Sequence, residues 1–248
     1  MSVYTNMTEY KILNPILHCD HTKFNRIANV SRSTWMRDNA KNSIFSFFYQ
    51  GGTEKSYLIN DILNLSCEDR WQKNSVSYVS TIKMIKMFEY CLESFSFDFL
   101  FRTSSTTYVN YKLLLEHCKN IEPNLYYGGK VATNNCNETY NEDIKYCLGH
   151  GFILSRDLVE LLVSNQDELV SYALIDDLAV GKFTMNRNIE AKSTDMQKYK
   201  SFKMGAIEEL KLIYAHRCKP PTCPIDEDEW VNYVKNCFEL LDKKIDEI

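Results

Sequence analysis

The sequence predicts an α/β fold, a mixed and mostly parallel sheet flanked by helices. Two observations carry that prediction. Short apolar runs bounded by turn residues read as buried strands, and stretches with helical apolar spacing alternate with them along the chain. A third sets the scale: 248 residues without an internal repeat or low-complexity block are enough to bury a sizeable core, and are expected to form a single domain over residues 1–248.

The run Ile44-Phe45-Ser46-Phe47-Phe48-Tyr49 ends at Gly51-Gly52, which predicts a buried strand closing in a turn. Val79 to Cys91 places Ile82, Ile85, Phe88 and Cys91 at helical spacing. Phe97 to Phe101 follows as a second buried strand and runs into the polar stretch Arg102 to Thr107. Val109 to Cys118 returns to a helical pattern. Ser155 is the expected N-cap of a helix whose apolar side is Leu158, Val159, Leu161 and Leu162. Met204 to Tyr214 reads equally as helix or strand, and Pro220-Pro221 stops regular structure. Glu227 to Asp246 is a terminal amphipathic helix carrying Trp230, Val234, Phe238 and Leu241. Ligands of such sheets bind beyond the carboxyl ends of the strands, so Arg102 to Thr107 is the expected site location.

Composition narrows the function. A net charge of -4 counts against a protein that binds nucleic acid through phosphates. No stretch approaches the roughly 18 apolar residues that span a bilayer, and Met1 to Asn14 lacks an apolar signal core. The expected location is cytoplasmic; the alternative is a domain or soluble fragment of a larger or secretory-pathway protein. Nine Cys form no CxxC pair, and Cys218 with Cys223 lacks a second pair at zinc-ligand spacing. Reduced buried thiols and an extracellular disulfide set both remain open. The 16 Tyr and 13 Phe suit either sugar-stacking surfaces or an aromatic core. A Gly-x-Ser-x-Gly elbow is absent, which disfavours an α/β hydrolase.

Four blocks in order resemble the fringe-like β-1,3-glycosyltransferases. Ser31-Arg32-Ser33-Thr34-Trp35 followed by Ile44 to Gly52 is similar to that family's Arg-x-Thr-Trp, strand and glycine turn. FDFLFRTSSTTYVN, Phe97 to Asn110, is similar to its strand, aspartate triplet and Thr-Tyr/Phe-Val-Asn. YCLGHGFILSRDLVELL, Tyr146 to Leu162, resembles its Gly-x-Gly-Tyr-x-Leu-Ser block, and IDDLAVG, Ile175 to Gly181, its (Glu/Asp)-Asp-x-x-x-Gly. The resemblance implies the GT-A fold, with a nucleotide-binding half over about 10–110 and an acceptor half over about 111–248. It also implies transfer of a sugar from a nucleotide donor, expected to be a UDP-sugar, to a glycan or glycoprotein hydroxyl with inversion. A catalytically degenerate carbohydrate-binding or scaffold protein is the alternative.

Such transfer needs a base for the acceptor proton and positive charge or hydrogen-bond donors for the departing diphosphate. The family's base maps onto Asp177, with Asp176 supporting it; the competing reading is that both acids cap a helix beginning near Leu178. At Ser104-Ser105-Thr106 the chain departs from the family, whose aspartates hold Mn²⁺ or Mg²⁺ there. Hydroxyls replace carboxylates poorly on a hard cation, so no metal ligand is expected at this turn, Mn²⁺ or Mg²⁺ stays open as a cofactor, and the hydroxyls are expected to bond ribose or phosphate. His216, Arg217 and Lys219 are expected to face the diphosphate, with Arg217 and Lys219 supplying the positive charge, or else to form a solvated basic turn. Arg32 and Arg102 are further donor-side candidates. Tyr126 and Tyr127 are acceptor-side candidates that either stack on sugar or pack. Gly149 and Gly151 allow close backbone approach, and His150 between them either contacts the sugar or packs beside a turn.

Overall fold

The computed structural model describes residues 8–37, 39, 43–69, 78–137, 140, 142–194, 197–198, 214–218 and 226–246. The first part of the chain forms β1 (Thr8–Leu17), α1 (Thr22–Ser33), β2 (Ile44–Gln50), β3 (Tyr57–Ile59), β4 (Ile62–Asn64), α2 (Val79–Ser94) and β5 (Phe95–Ser104). There follow β6 (Thr107–Val109), α3 (Tyr111–Lys119), β7 (Tyr127–Asn137), β8 (Glu142–Ser155), α4 (Arg156–Ser164), α5 (Gln166–Ser171) and α6 (Asp176–Asn186). Short strands β9 (Ala191–Ser193), β10 (Gln197–Lys198) and β11 (Ala215–Arg217) precede α7 (Glu227–Asp246).

Eight strands make one sheet in the order β3-β4-β2-β1-β5-β8-β7-β9, and β10-β11-β6 make a second, small one. The pairs β1–β2, β1–β5, β2–β4 and β7–β9 are parallel; β3–β4, β5–β8 and β7–β8 are antiparallel. This is the mostly parallel α/β sheet the sequence predicts, and it crosses the boundary between the expected halves because β5 pairs with β8.

Both faces of the sheet are covered, and the period-two alternation of strands explains how. On β1, Leu13 packs on the side of α2, α4 and α6, while Ile12 and Ile16 pack with α1, α3 and α7. On β2, Phe47 and Tyr49 face the first side and Ile44 and Phe48 the second. Such doubly buried strands read as continuous apolar runs. Helix α7 docks through Val231, Val234, Phe238 and Leu241, all buried. Each such side chain is worth roughly 1.5–3 kcal/mol, against at most about 1 kcal/mol for the exposed Arg26–Asp228 ion pair between α1 and α7. Apolar burial therefore holds this helix in place.

Sequence expectations fail in informative places. Central strand β1 escapes the pattern because Asn14-Pro15 interrupts its apolar run. Pro15 has no N–H for the ladder, and the Asn14 Nδ2 donates to the Phe101 carbonyl at 2.7 Å instead. The helix expected from Val109 begins at Tyr111, because Val109 ends β6 and the Asn110 side chain accepts the Leu113 N–H as N-cap. Ser155 stands at the N-cap position of α4 without capping it: its hydroxyl donates to Asp157 and accepts the Tyr126 N–H at 2.7 Å. Apart from Tyr214, the segment Met204 to Tyr214 lies outside the described residues, as do Pro220 and Pro221. Among the described residues, no helix is long and apolar enough to cross a membrane.

Candidate active site

The parallel strands β1 and β5 end in register, Leu17 beside Ser104. Beyond their carboxyl ends opens a cavity of about 500 Å³. Its walls come from six elements: His18 and Cys19 after β1, Phe24 on α1, Ser80 and Lys83 on α2, Ser104 at the end of β5 with Ser105 and Thr106 following, Arg217 on β11 and Trp230 on α7. The turn after β5 is therefore where the α/β rule places a ligand site.

Lys83 is 1% exposed, and its ammonium donates to the His18 carbonyl at 2.9 Å and to Asp69. His18 is also buried, which lowers its pKa, and its Nε2 meets Asn25 Oδ1 at 2.9 Å. Burial likewise lowers the Arg217 pKa, with the Asp177 charge opposing. Among the described residues no carboxylate forms an ion pair with Arg217.

The acid pair sits on the first turn of α6, one step behind the cavity wall: the Asp176 N–H donates to the cavity-lining Ser80 hydroxyl at 3.3 Å. Neither acid is the N-cap, which is Ile175. Asp177 is 8% exposed; its Oδ2 accepts the Gly149 N–H at 2.7 Å and its Oδ1 the Leu178 N–H at 2.9 Å. Burial and then the Asp176 charge push the Asp177 carboxyl up to about 6, against Arg102 and the two N–H donors. Asp176 pairs with Arg102, whose guanidinium also donates to the Tyr49 hydroxyl at 3.1 Å and to the Gly149 carbonyl.

The structure brings Ser104, Ser105, Thr106 and Arg217 together around the cavity, while Asp176 touches its wall through Ser80 and Asp177 and Gly149 stand behind Asp176 without lining the cavity. It sends other candidates elsewhere. Arg102 is 1% exposed and spends its guanidinium on protein partners, so it cannot reach a donor. Arg32 is held in a fork by Asp61 at 2.8 and 2.9 Å and does not line the cavity. Tyr127 is fully buried with its hydroxyl accepting the Cys147 N–H, and Tyr126 is buried against Phe99. Neither ring offers a face to sugar: both pack. His150 is buried, and its carbonyl accepts from the Thr107 hydroxyl. Gly151 pairs with Thr103 across β5 and β8. His216 is buried in the small sheet, where desolvation pulls its pKa to about 4, so it is neutral at pH 7. Lys219 lies outside the described residues. Sequence reasoning missed Lys83, His18 and the cavity face of Trp230; helical spacing had placed Trp230 only as a packing residue of α7.

The hydroxyls after β5 do not suit a divalent cation. Ser104 Oγ lies 3.3 Å from Thr106 Oγ1 and 3.1 Å from Thr107 Oγ1, a set of neutral groups bonded to one another. Among the described residues no three His, Cys, Asp or Glu gather as metal ligands. Among the described residues, those of this turn do not fit the Mn²⁺ or Mg²⁺ that the family resemblance implies.

The sequence matches the family described as Galactosyltransferase over residues 27–195, most of the chain. The chain belongs to the galactosyltransferase family. A solved glycosyltransferase involved in the glycosylation of the major capsid of PBCV-1 is similar in fold, with a TM-score of 0.54 at 11% identity over 91% of this chain and 99% of that one. The galactosyltransferase LgtC gives 0.49 at 10% identity over 92% and 96%. No curated protein sequence matches the chain. The fold is that of a GT-A glycosyltransferase, and family membership implies a nucleotide-sugar donor and a glycan acceptor.

Proposed function

We propose that this family member is an inverting glycosyltransferase that takes a sugar from a UDP-sugar, uses Asp177 as the base and handles the diphosphate without a divalent metal. The observation that carries this reading is the Asp177 carboxylate. It is buried behind the cavity wall, on the helical turn whose Asp176 N–H meets the lining Ser80 hydroxyl, is fixed by two backbone N–H groups and is raised to about 6, so it is ionised near pH 7 and still basic enough to take a proton.

In the reaction the acceptor oxygen bonds to the anomeric carbon, the bond from that carbon to the phosphate oxygen breaks, and the acceptor proton passes to Asp177. UDP departs with the bonding pair. Arg217 supports the departing charge from the cavity wall. Lys83 uses two of its three N–H donors on His18 and Asp69, leaving one for a phosphate oxygen. The hydroxyls of Ser104 to Thr106 bond ribose or phosphate. The single domain expected from the sequence remains part of this reading.

A binder without activity is the second reading, favoured by the hydroxyls standing in place of the aspartates. Nucleotide release from UDP-, GDP- and CMP-sugars, with a panel of glycan acceptors, separates the two. The transferase reading expects UDP release, reduced at least about 100-fold in Asp177→Asn. Unchanged release by Asp177→Asn contradicts the base assignment, and no release by the wild type supports the binder.

A further inference from the structure

We propose that Arg102 is the positioning residue of this site, holding the Asp177 carboxylate through two arms, the Gly149 carbonyl and the Asp176 carboxylate. The inference rests on the reading of Asp177 as the base. It stands on the geometry of four elements that meet at one guanidinium. From β5, Arg102 reaches the Tyr49 hydroxyl on β2, the Gly149 carbonyl on β8 and the Asp176 carboxylate on α6.

The Gly149 residue is the hinge of the first arm. Its carbonyl accepts from Arg102 while its N–H donates to Asp177 Oδ2. Fixing one side of this residue aims the other. The second arm fixes Asp176, and with it the first turn of α6 on which Asp177 stands. Asp177 and Arg102 converge at Gly149: a Cβ there would lie 2.8 Å from Asp177 Oδ2 and 3.3 Å from Arg102 Nη1. A planar fork with donors pointing in several directions serves this task; the single ammonium of a lysine does not. Arg102 is sealed from the cavity, so it acts on the reaction only through Asp177.

The charged and titratable groups facing Asp177 are Asp176 on its own helix, Arg102 on β5, Tyr146 and Cys147 on β8, Tyr127 on β7 and Arg217 on β11. Arg102 and Asp176 act on it with opposite signs. Removing Arg102 alone therefore raises the Asp177 midpoint, and removing both nearly restores it.

The test uses the full chain with ¹³C-carboxyl-labelled Asp, in wild type, Arg102→Lys, Arg102→Met and Arg102→Met/Asp176→Asn. Asp177 is assigned by the signal lost in Asp177→Asn. The expected wild-type midpoint is about 6. Arg102→Met is expected to raise it by at least about one unit. Arg102→Lys is expected to keep the midpoint yet lower kcat at least about tenfold with UDP affinity unchanged. The double variant is expected to fold without a buried unpaired charge, to titrate near the wild-type midpoint and to lose kcat as well. Full kcat in Arg102→Lys or in the double variant overturns the proposal, as does a folded Arg102→Met with an unshifted midpoint. If Asp177→Asn keeps its activity, the base reading falls, while the titration still judges the hold of Arg102 on Asp177.

Discussion

Gly149 and Asp177 meet at 2.7 Å, the peptide N–H of one donating to Oδ2 of the other. A Cβ at Gly149 would stand 2.8 Å from that same oxygen. The obstructing atom is the end of a side chain, so the fold can yield by swinging the carboxylate aside. Gly149→Ala is expected to lose about 1–3 kcal/mol in urea unfolding. Transfer should fall about 100-fold, because displacing a reacting group by about 1 Å costs that much.

The raised carboxyl of Asp177 sets an acid limb. The base works deprotonated, so kcat should rise with pH through about 6. The stability linkage has the opposite sense. Between the ordinary 3.8 and about 6, the folded chain keeps a proton that the unfolded chain releases, so this group's contribution to stability falls as pH rises through that window. Urea unfolding of wild type and Asp177→Asn should show the variant gaining on the wild type from pH 4 to pH 7.

Arg102 and Asp176 form an ion pair whose side chains are 1% and 6% exposed. Breaking one partner strands a buried charge. Asp176→Ala is expected to cost about 3–5 kcal/mol in chemical denaturation. Arg102→Met/Asp176→Leu should cost less than the sum of its two single changes.

Arg217 lines the cavity without a carboxylate partner among the described residues. A charge-assisted contact of about 1.5–3 kcal/mol corresponds to roughly 10–100-fold in affinity. Calorimetry should find UDP weakened by that factor in Arg217→Ala, with the unfolding midpoint little changed.

Much of the architecture was legible. The strand Ile44–Gln50 and the helices Val79–Ser94 and Glu227–Asp246 form where continuous apolar runs and helical spacing place them. Strand β1 was not, because its Asn14-Pro15 break is repaired by a side-chain bond to β5 that exists only after folding. The turn Ser104 to Thr106 was placed at the cavity by the rule for strand ends, whereas the acid pair was legible through family resemblance. Helical spacing put Ile82 on the buried side of α2, yet the helix buries Lys83 and leaves Ile82 partly exposed. Asp69, fourteen residues earlier in the chain, pairs with that ammonium, and no periodic pattern reports such a partner. Arg102 and Tyr127 drew ligand-contact readings from their positions in the chain, but burial decides against such contact, since a side chain sealed by protein partners has nothing left for a ligand.

The most direct measurement is calorimetric titration of UDP into the protein in EDTA and then in Mn²⁺. The account predicts binding of equal strength in both, lost or much weakened in Arg217→Ala. UDP binding that appears only with Mn²⁺, or no UDP binding under either condition, would contradict it.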